Sequence, residues 1–366
     1  MSMIRIDFKP RVLGFFLIMF GMTPYTAVVN AASEVDFSGK TVRIELCVKP
    51  GGGQDRVSRY FFPEVVKRLP GQPDIVMQYS RLMYGSTNRF YERGKTNGLH
   101  ILSCNSVVTM GEVLGRSDVK FNSAEFKPIF VLPNPEIYLI RSETGYNSPK
   151  DLTSPKVDLV YGHRNPGSPQ STALIFLDKM LEDVDIKFVF GYSGGETQLA
   201  FLRGETNIMP TPPSRFFDAA VQDEIKAGNI KPLAQSGIVL PDGSLKRHPR
   251  LPDIPTIQEL IEEIQGKPVS GPEWKIISAM AANLQISLQW FLHQDTPDEI
   301  WDAWIKAANE TLQDPKVVES SKKVVVELPI TGRKAADLVS VAVKIPDDVA
   351  KQLRDVLSTE FNLKFD

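Results

Sequence analysis

The stretch Lys49-Pro50-Gly51-Gly52-Gly53-Gln54-Asp55-Arg56 decides how the rest of the chain is read. It follows a strand-like run, Lys40–Val48, and leads into a helix expected over Gln54–Leu69. Three consecutive glycines let the backbone turn sharply and approach a ligand with no Cβ in the way. A helix beginning there leaves its first N–H groups unpaired and facing the same space, a setting that favours an anion. Neither common phosphate loop fits: no Gly-Lys-Ser/Thr completes the stretch, and the glycines are not spaced G-x-G-x-x-G. Two readings remain, a bare βα turn or a small-anion site of the carboxylate type.

The design recurs downstream. Val157–Tyr161 reads as a strand, runs into the Gly- and Ser-rich segment Gly162–Thr172, and is followed by a helix expected over Ala173–Leu181. Lys187–Phe190 with Gly191-Tyr192-Ser193-Gly194-Gly195 makes a third strand–turn–helix unit. Further strands are expected at Asp74–Tyr79, Leu99–Ser103, Ile137–Arg141 and Ile230–Ala234. Strands alternating with helices predict an α/β protein with mainly parallel sheets flanked by helices. A boundary falls at Leu132-Pro133-Asn134-Pro135. The first and second loops then sit in separate lobes, facing one another across a cleft.

Other segments carry weaker signals. Pro63 should kink or split the first helix. Leu240–Pro255, rich in proline and charge, reads as a surface connection, with His248 in an exposed-looking run. Trp274–Phe291 is apolar without a clear period. Thr296-Pro297-Asp298-Glu299 predicts a helix start with Thr296 as N-cap and Glu299 at the capping-box position. Trp301, Trp304, Ile305 and Ala308 mark the buried face of that helix, and two amphipathic helices, Arg333–Lys344 and Pro346–Glu360, close the chain.

A length of 366 residues predicts two lobes, and a net charge of −2 gives no sign of a nucleic-acid-binding surface. Arg5, Lys9 and Arg11 precede the apolar run Val12–Met22, and Val29 and Ala31 satisfy a small-residue cleavage site. Residues 1–31 therefore read as a signal peptide cleaved near Ala31, and the mature protein as exported to the periplasm. Cys47 and Cys104 are the only cysteines. An oxidising compartment permits a bond, but neighbouring parallel strands rarely offer good disulfide geometry, which favours two buried thiols. The four histidines, His100, His163, His248 and His293, show no metal-ligand spacing. No cofactor or metal is expected.

Several motifs then align in order with one family. Pro50-Gly51-Gly52-Gly53 with Asp55 resembles the first loop of the tripartite tricarboxylate transporter receptors, which are exported solute-binding proteins of bacteria. Tyr161-Gly162 with Gly167–Thr172 is similar to their second ligand loop, and Tyr192-Ser193-Gly194-Gly195 to their Tyr-x-Gly-Gly turn. Ile225–Gly228, Lys231–Ala234, Leu251–Thr256, Thr296-Pro297 and Leu312–Pro315 resemble their later markers. The likeness spans about residues 40–330.

The resemblance implies a two-lobed type II periplasmic-binding fold, with lobe one over 36–135 and 257–366 and lobe two over 136–256. It also implies a small organic carboxylate between the lobes, membrane permease subunits as partners, and a monomer. The site it points to comprises Gly51, Gly52, Gly53 and Asp55 on one side and Gly167, Ser168, Ser171 and Thr172 on the other. Gln54, Ser106, Arg164 and Tyr192 complete the candidate set. Asp55 is expected to hold the loop rather than touch an anion, and Arg164 to favour a second carboxylate through its planar fork. Departures are Gln54 where Thr is common, Thr211 where the family has an acid, a more basic second loop, and an insertion over 262–285.

Two alternatives stand beside this. Gly191-Tyr192-Ser193-Gly194-Gly195 fits a G-x-S-x-G nucleophile elbow, so a secreted serine hydrolase using Ser193 is the enzymatic rival. Only His248 and His293 follow that serine, and neither has the setting a triad needs. The other alternative keeps the binding cleft but hands the signal to a sensor kinase.

Overall fold

The computed structural model describes residues 35–365 apart from 52, 81, 193, 241 and 326. The expected signal peptide, Gly52 and Ser193 thus lie outside the described residues.

From Val35 to Asp366 the chain forms one unit around two sheets. The first begins with β1 (Thr41–Leu46), α1 (Gly53–Val66), β2 (Asp74–Tyr79), α2 (Met83–Arg93), β3 (His100–Asn105), α3 (Val107–Val113) and β4 (Lys127–Leu132). The chain then builds the second from β5 (Ile137–Arg141), β6 (Leu159–His163), α4 (Pro169–Met180), β7 (Ile186–Phe190) and α5 (Gly194–Leu202). β8 (Ile208–Thr211), α6 (Pro213–Phe216), α7 (Ala219–Lys226) and β9 (Ile230–Gln235) complete it. After a hairpin of β10 (Ile238–Val239) and β11 (Leu245–Lys246) come α8 (Ile257–Gln265) and α9 (Pro272–Gln285). β12 (Leu288–Leu292), α10 (Asp298–Gln313), α11 (Pro315–Ser321), β13 (Ile330–Thr331), α12 (Gly332–Val343) and α13 (Asp347–Phe361) follow.

The strand orders are β13-β4-β12-β3-β1-β2 and β7-β6-β8-β5-β9. In the first sheet β12 and β13 run against the other four strands; in the second β5 alone runs against its neighbours. The expected mainly parallel α/β architecture is what the chain adopts. Two peptide runs join the sheets: Pro133–Glu136 from β4 to β5, and Ile286–Ser287 from α9 into β12.

Burial explains the elements. Ile137, Tyr138, Leu139 and Ile140 are all fully buried, as a strand covered on both faces requires. β2 alternates exposed and half-buried residues, which suits its place at the sheet edge. On the first sheet Phe62 of α1 packs against Phe130, Trp290 and Trp304, with ring centroids 5.4, 6.2 and 6.2 Å apart. Each such large side chain contributes about 1.5–3 kcal/mol by leaving water. α8, α9 and α13 pack with α4 into the core of the second sheet.

Four expectations are corrected. Cys47 and Cys104 form a disulfide with Cα atoms 5.0 Å apart, inside the usual range. Leu46 pairs with Ser103 in the parallel ladder, so the cysteines are the next opposed pair. Cys47 lies just beyond the last residue of β1, and its N–H still donates to the Ser103 carbonyl at 2.9 Å, which keeps the two cysteines side by side. Pro63 does not split the first helix, which runs unbroken over Gly53–Val66. The ring removes one donor, while Phe61, Phe62, Val65 and Val66 anchor both sides of it in the core. Thr296 is not the cap of α10: Pro297 is the N-cap residue, and Thr296 Oγ1 finds no partner among the described residues. The Pro297 carbonyl already accepts the first helical N–H, which places the helix start one residue later than expected. His248, finally, is buried, its N–H donating to Gln235 Oε1 at 2.8 Å. Gln235 also donates to the Leu251 and Ile254 carbonyls, so one fully buried amide pulls this connection inward despite the charges around it.

Candidate functional site

The first wall is the turn from β1 into α1. Gly51 has φ +86°, a conformation glycine adopts without strain. Its N–H does not face a ligand: it donates to Asp55 Oδ2 at 2.7 Å. Asp55 Oδ1 accepts from Tyr79 Oη at 2.6 Å and Arg59 Nε at 2.8 Å. Burial alone would push the Asp55 carboxyl up, but Tyr79, the Gly51 N–H and Arg59 together hold it below its ordinary value. Gln54 turns into the lobe, donating to Ser103 Oγ at 2.7 Å and the Gln289 carbonyl at 3.1 Å. Ser106 is buried at the start of α3, its N–H on the Ser287 carbonyl. Gly53 does line the interlobe space, and a Cβ there would meet nothing within 4 Å.

The second wall is the turn from β6 into α4. Ser168 is the N-cap of α4 and Pro169 its first residue, so the helix starts four residues before the expected Ala173. Ser171 Oγ lies 2.9 Å from both His163 Nδ1 and Ser168 Oγ. Thr172 Oγ1 donates to the Pro166 carbonyl at 2.9 Å. Burial, reinforced by Arg164, lowers His163 to about 4, so this cluster holds a neutral imidazole. Gly167 faces the C-terminal tail: a Cβ would sit 2.8 Å from Leu363 Cδ2. The Tyr192 turn is tied to this loop by the Gly191 N–H on the Arg164 carbonyl at 3.1 Å.

Between the walls lies a cleft of about 390 Å³. Of the candidate residues only Gly53 and Arg164 line it; Gln54, Asp55, Ser106, Gly167, Ser168, Ser171, Thr172 and Tyr192 stand behind or beside it. The floor is the Leu132–Glu136 crossing. Arg56, His163, Gln170 and Arg215 also line the cleft and are not among the residues expected there from the sequence. Arg56 was legible in principle, since it lies three positions after Gly53 on the first turn of α1. Arg56 and Arg164 carry no ion pair or hydrogen bond from their guanidinium groups to any described residue. At the mouth Glu327, between α11 and β13, meets His248 Nε2 at 3.0 Å across the two lobes. Among the described residues no three His, Cys, Asp or Glu side chains gather to hold a metal.

Two lobes, a crossing floor and a charged cleft invite comparison with solved structures. A TctC solute-binding protein from Polaromonas superposes with a TM-score of 0.60 at 15% identity, covering 87% of this chain and 98% of that one. The chain has a periplasmic-binding-protein fold. Rpa4515 of R. palustris with adipate is similar at TM-score 0.56 and 17% identity, over 86% of this chain and 97% of that one. MatC of Rhodopseudomonas palustris with bound malate gives 0.53 and 18%, over 87% and 98%. No protein-family model and no curated protein matches the sequence.

Proposed function

We propose that the protein is an exported receptor of the tripartite tricarboxylate type, capturing a small organic carboxylate in the interlobe cleft. The observation that carries this is the pair of guanidinium groups without partners among the described residues, Arg56 from one wall and Arg164 from the other, lining a single cavity. An unpaired cation at a cleft seeks an anion, and a planar guanidinium suits the two oxygens of a carboxylate. The malate and adipate in the similar R. palustris structures support the same ligand class. Delivery to a membrane permease and residence in the periplasm rest on the ordered motifs from Gly51 to Pro315 and on the basic, apolar start of the chain. A receptor needs no nucleophile, so the elbow-like Gly191–Gly195 turn has a structural role, that of holding the Arg164 loop through Gly191.

The lobes are proposed to meet at residues 135/136. The sequence markers assign 257–366 to the first lobe, while core packing supports moving α8, α9 and α13 to the second.

A thermal-shift screen against mono-, di- and tricarboxylates, neutral amides and sugars tests the function. A carboxylate at about a hundred times its Kd should stabilise the fold by roughly 2.7 kcal/mol. Shifts with amides or sugars and none with any carboxylate would sink the reading.

A further inference from the structure

An acid sits where an anion receptor would be expected to avoid one. Glu136 ends the interlobe crossing, is only 4% exposed, and lines the cleft. Its N–H donates to Ser236 Oγ at 3.0 Å, and its Oε1 accepts from Gln170 Nε2 at 2.8 Å. Oε2 has no hydrogen bond to any described residue. An ionised carboxylate this buried, with a single hydrogen bond, carries a desolvation cost of several kcal/mol. The acid form removes that cost and fits the contacts: the Gln170 amide makes Oε1 the carbonyl-like acceptor and leaves the proton on Oε2.

We propose that Glu136 determines ligand class: as a neutral acid it donates from Oε2 to an oxygen of the anion held by Arg56 and Arg164. The cleft therefore takes a dicarboxylate without an ammonium group, and retains the proton while it does so. The proposal rests on the anion-receptor reading above. Burial pushes Glu136 up to about 8, against the Gln170 hydrogen bond and the Arg215 charge, which pull the other way. The other titratable or charged groups around it are Tyr138 and Tyr161 behind it, and Arg56, His163, Arg164, Arg215 and Glu327 around the cleft. His163 is held near 4 and burial pushes both tyrosines far up, so none of these three changes charge between pH 7 and 9. With Glu136 neutral, Arg56 and Arg164 line the cleft without a partner among the described residues, which favours a dianion over a zwitterion.

The sign of proton linkage separates the two ligand classes. A dianion accepting from Glu136 raises its affinity for the proton, so binding near pH 8 takes up as much as about half a proton. An ammonium ligand would pair with ionised Glu136 and release as much as about half a proton at that pH. Titration calorimetry of the mature protein with L-malate, adipate and L-aspartate, in buffers of differing ionisation enthalpy, reads this directly. Malate or adipate should bind with proton uptake, about tenfold more weakly at pH 9 than at pH 7. Glu136→Gln keeps a donor and should bind the same probe with no proton uptake and no weakening over that range. Wild-type binding of malate or adipate without pH dependence overturns the role of Glu136 alone. Tighter binding of aspartate with proton release overturns it in favour of ammonium recognition. Failure of every anion to bind at pH 7 removes the receptor reading and this inference together. The wild-type measurement stands whether or not the variant folds.

Discussion

At Gly51–Asp55 a carboxylate holds the loop; at His163–Thr172 hydroxyls and a neutral imidazole do. Both walls follow the same strand–loop–helix plan, and in both the polar groups nearest the helix start are consumed by the loop itself. The reason is general: backbone and side-chain polar groups around a cleft need partners whether or not a ligand is present. Each wall leaves, facing the cleft, one arginine without a partner among the described residues, Arg56 or Arg164, and these are the proposed ligand contacts. The walls differ in their anchorage. A disulfide lies at the root of the first, between Cys47 and Cys104; the second relies on packing against Leu363 and the Gly191 hydrogen bond.

The covalent anchor gives the largest expected effect. Cys47 and Cys104 are separated by 57 residues, and opening such a loop should cost about 4 kcal/mol. Urea unfolding of Cys47→Ser, or of wild type under reductant, measures it. Unchanged stability in both would mean the anchor contributes nothing and the walls are held alike.

Next come the arginines. Arg56→Ala and Arg164→Ala should each lose a charged hydrogen bond worth about 1.5–3 kcal/mol, or roughly 10- to 100-fold in affinity. If Arg164 holds a second carboxylate, its loss weakens dicarboxylates and spares monocarboxylates, whereas Arg56→Ala weakens both. Equal profiles for the two variants would erase that distinction.

The loop-holding groups rank below. Asp55→Asn strips the Gly51 N–H and Tyr79 of a charged acceptor and should cost about 1–3 kcal/mol. Because the folded carboxyl titrates below its ordinary 3.8, its contribution is present above that value and is lost as pH falls through the lower, folded one. Wild type should therefore lose more stability on acidification than Asp55→Asn; equal slopes would remove Asp55 as the holder. Ser168→Ala deletes the N-cap of α4 and should cost about 1 kcal/mol, measurable in thermal melts. A loss as large as that of Asp55→Asn would mean the second wall depends on its hydroxyls as heavily as the first on its carboxylate.

Much of the fold was legible because local signals agreed with the tertiary result. β2 and β5 coincide to the residue with the expected Asp74–Tyr79 and Ile137–Arg141. α9 was not legible, and its burial shows why. Ten of its fourteen residues are buried, from Trp274 round to Gln285, so no apolar stripe stands out. It is covered by α4, α12 and α13 together. Of the candidate site, the sequence pointed to the two loops that wall the cleft and to few of the side chains that line it. Arg164 and Gly53 line the cleft as expected, but Gln54 and Ser171 are polar residues with buried partners, and sequence does not reveal which neighbour a side chain will meet.

The sequence by itself determined the alternation of strands and helices, the interlobe crossing at Leu132–Pro135 and the glycine turn at Gly51. Each depends on residues adjacent in the chain, through dihedral preference and apolar periodicity. Only the tertiary structure decided the disulfide, the burial of His248 beneath Gln235, and the pairing of Arg56 with Arg164 across one cleft. It also decided that Glu136 would be an acid held away from water. These depend on contacts between residues far apart in the chain, where burial and partner, and not the residue's own chemistry, determine charge and role.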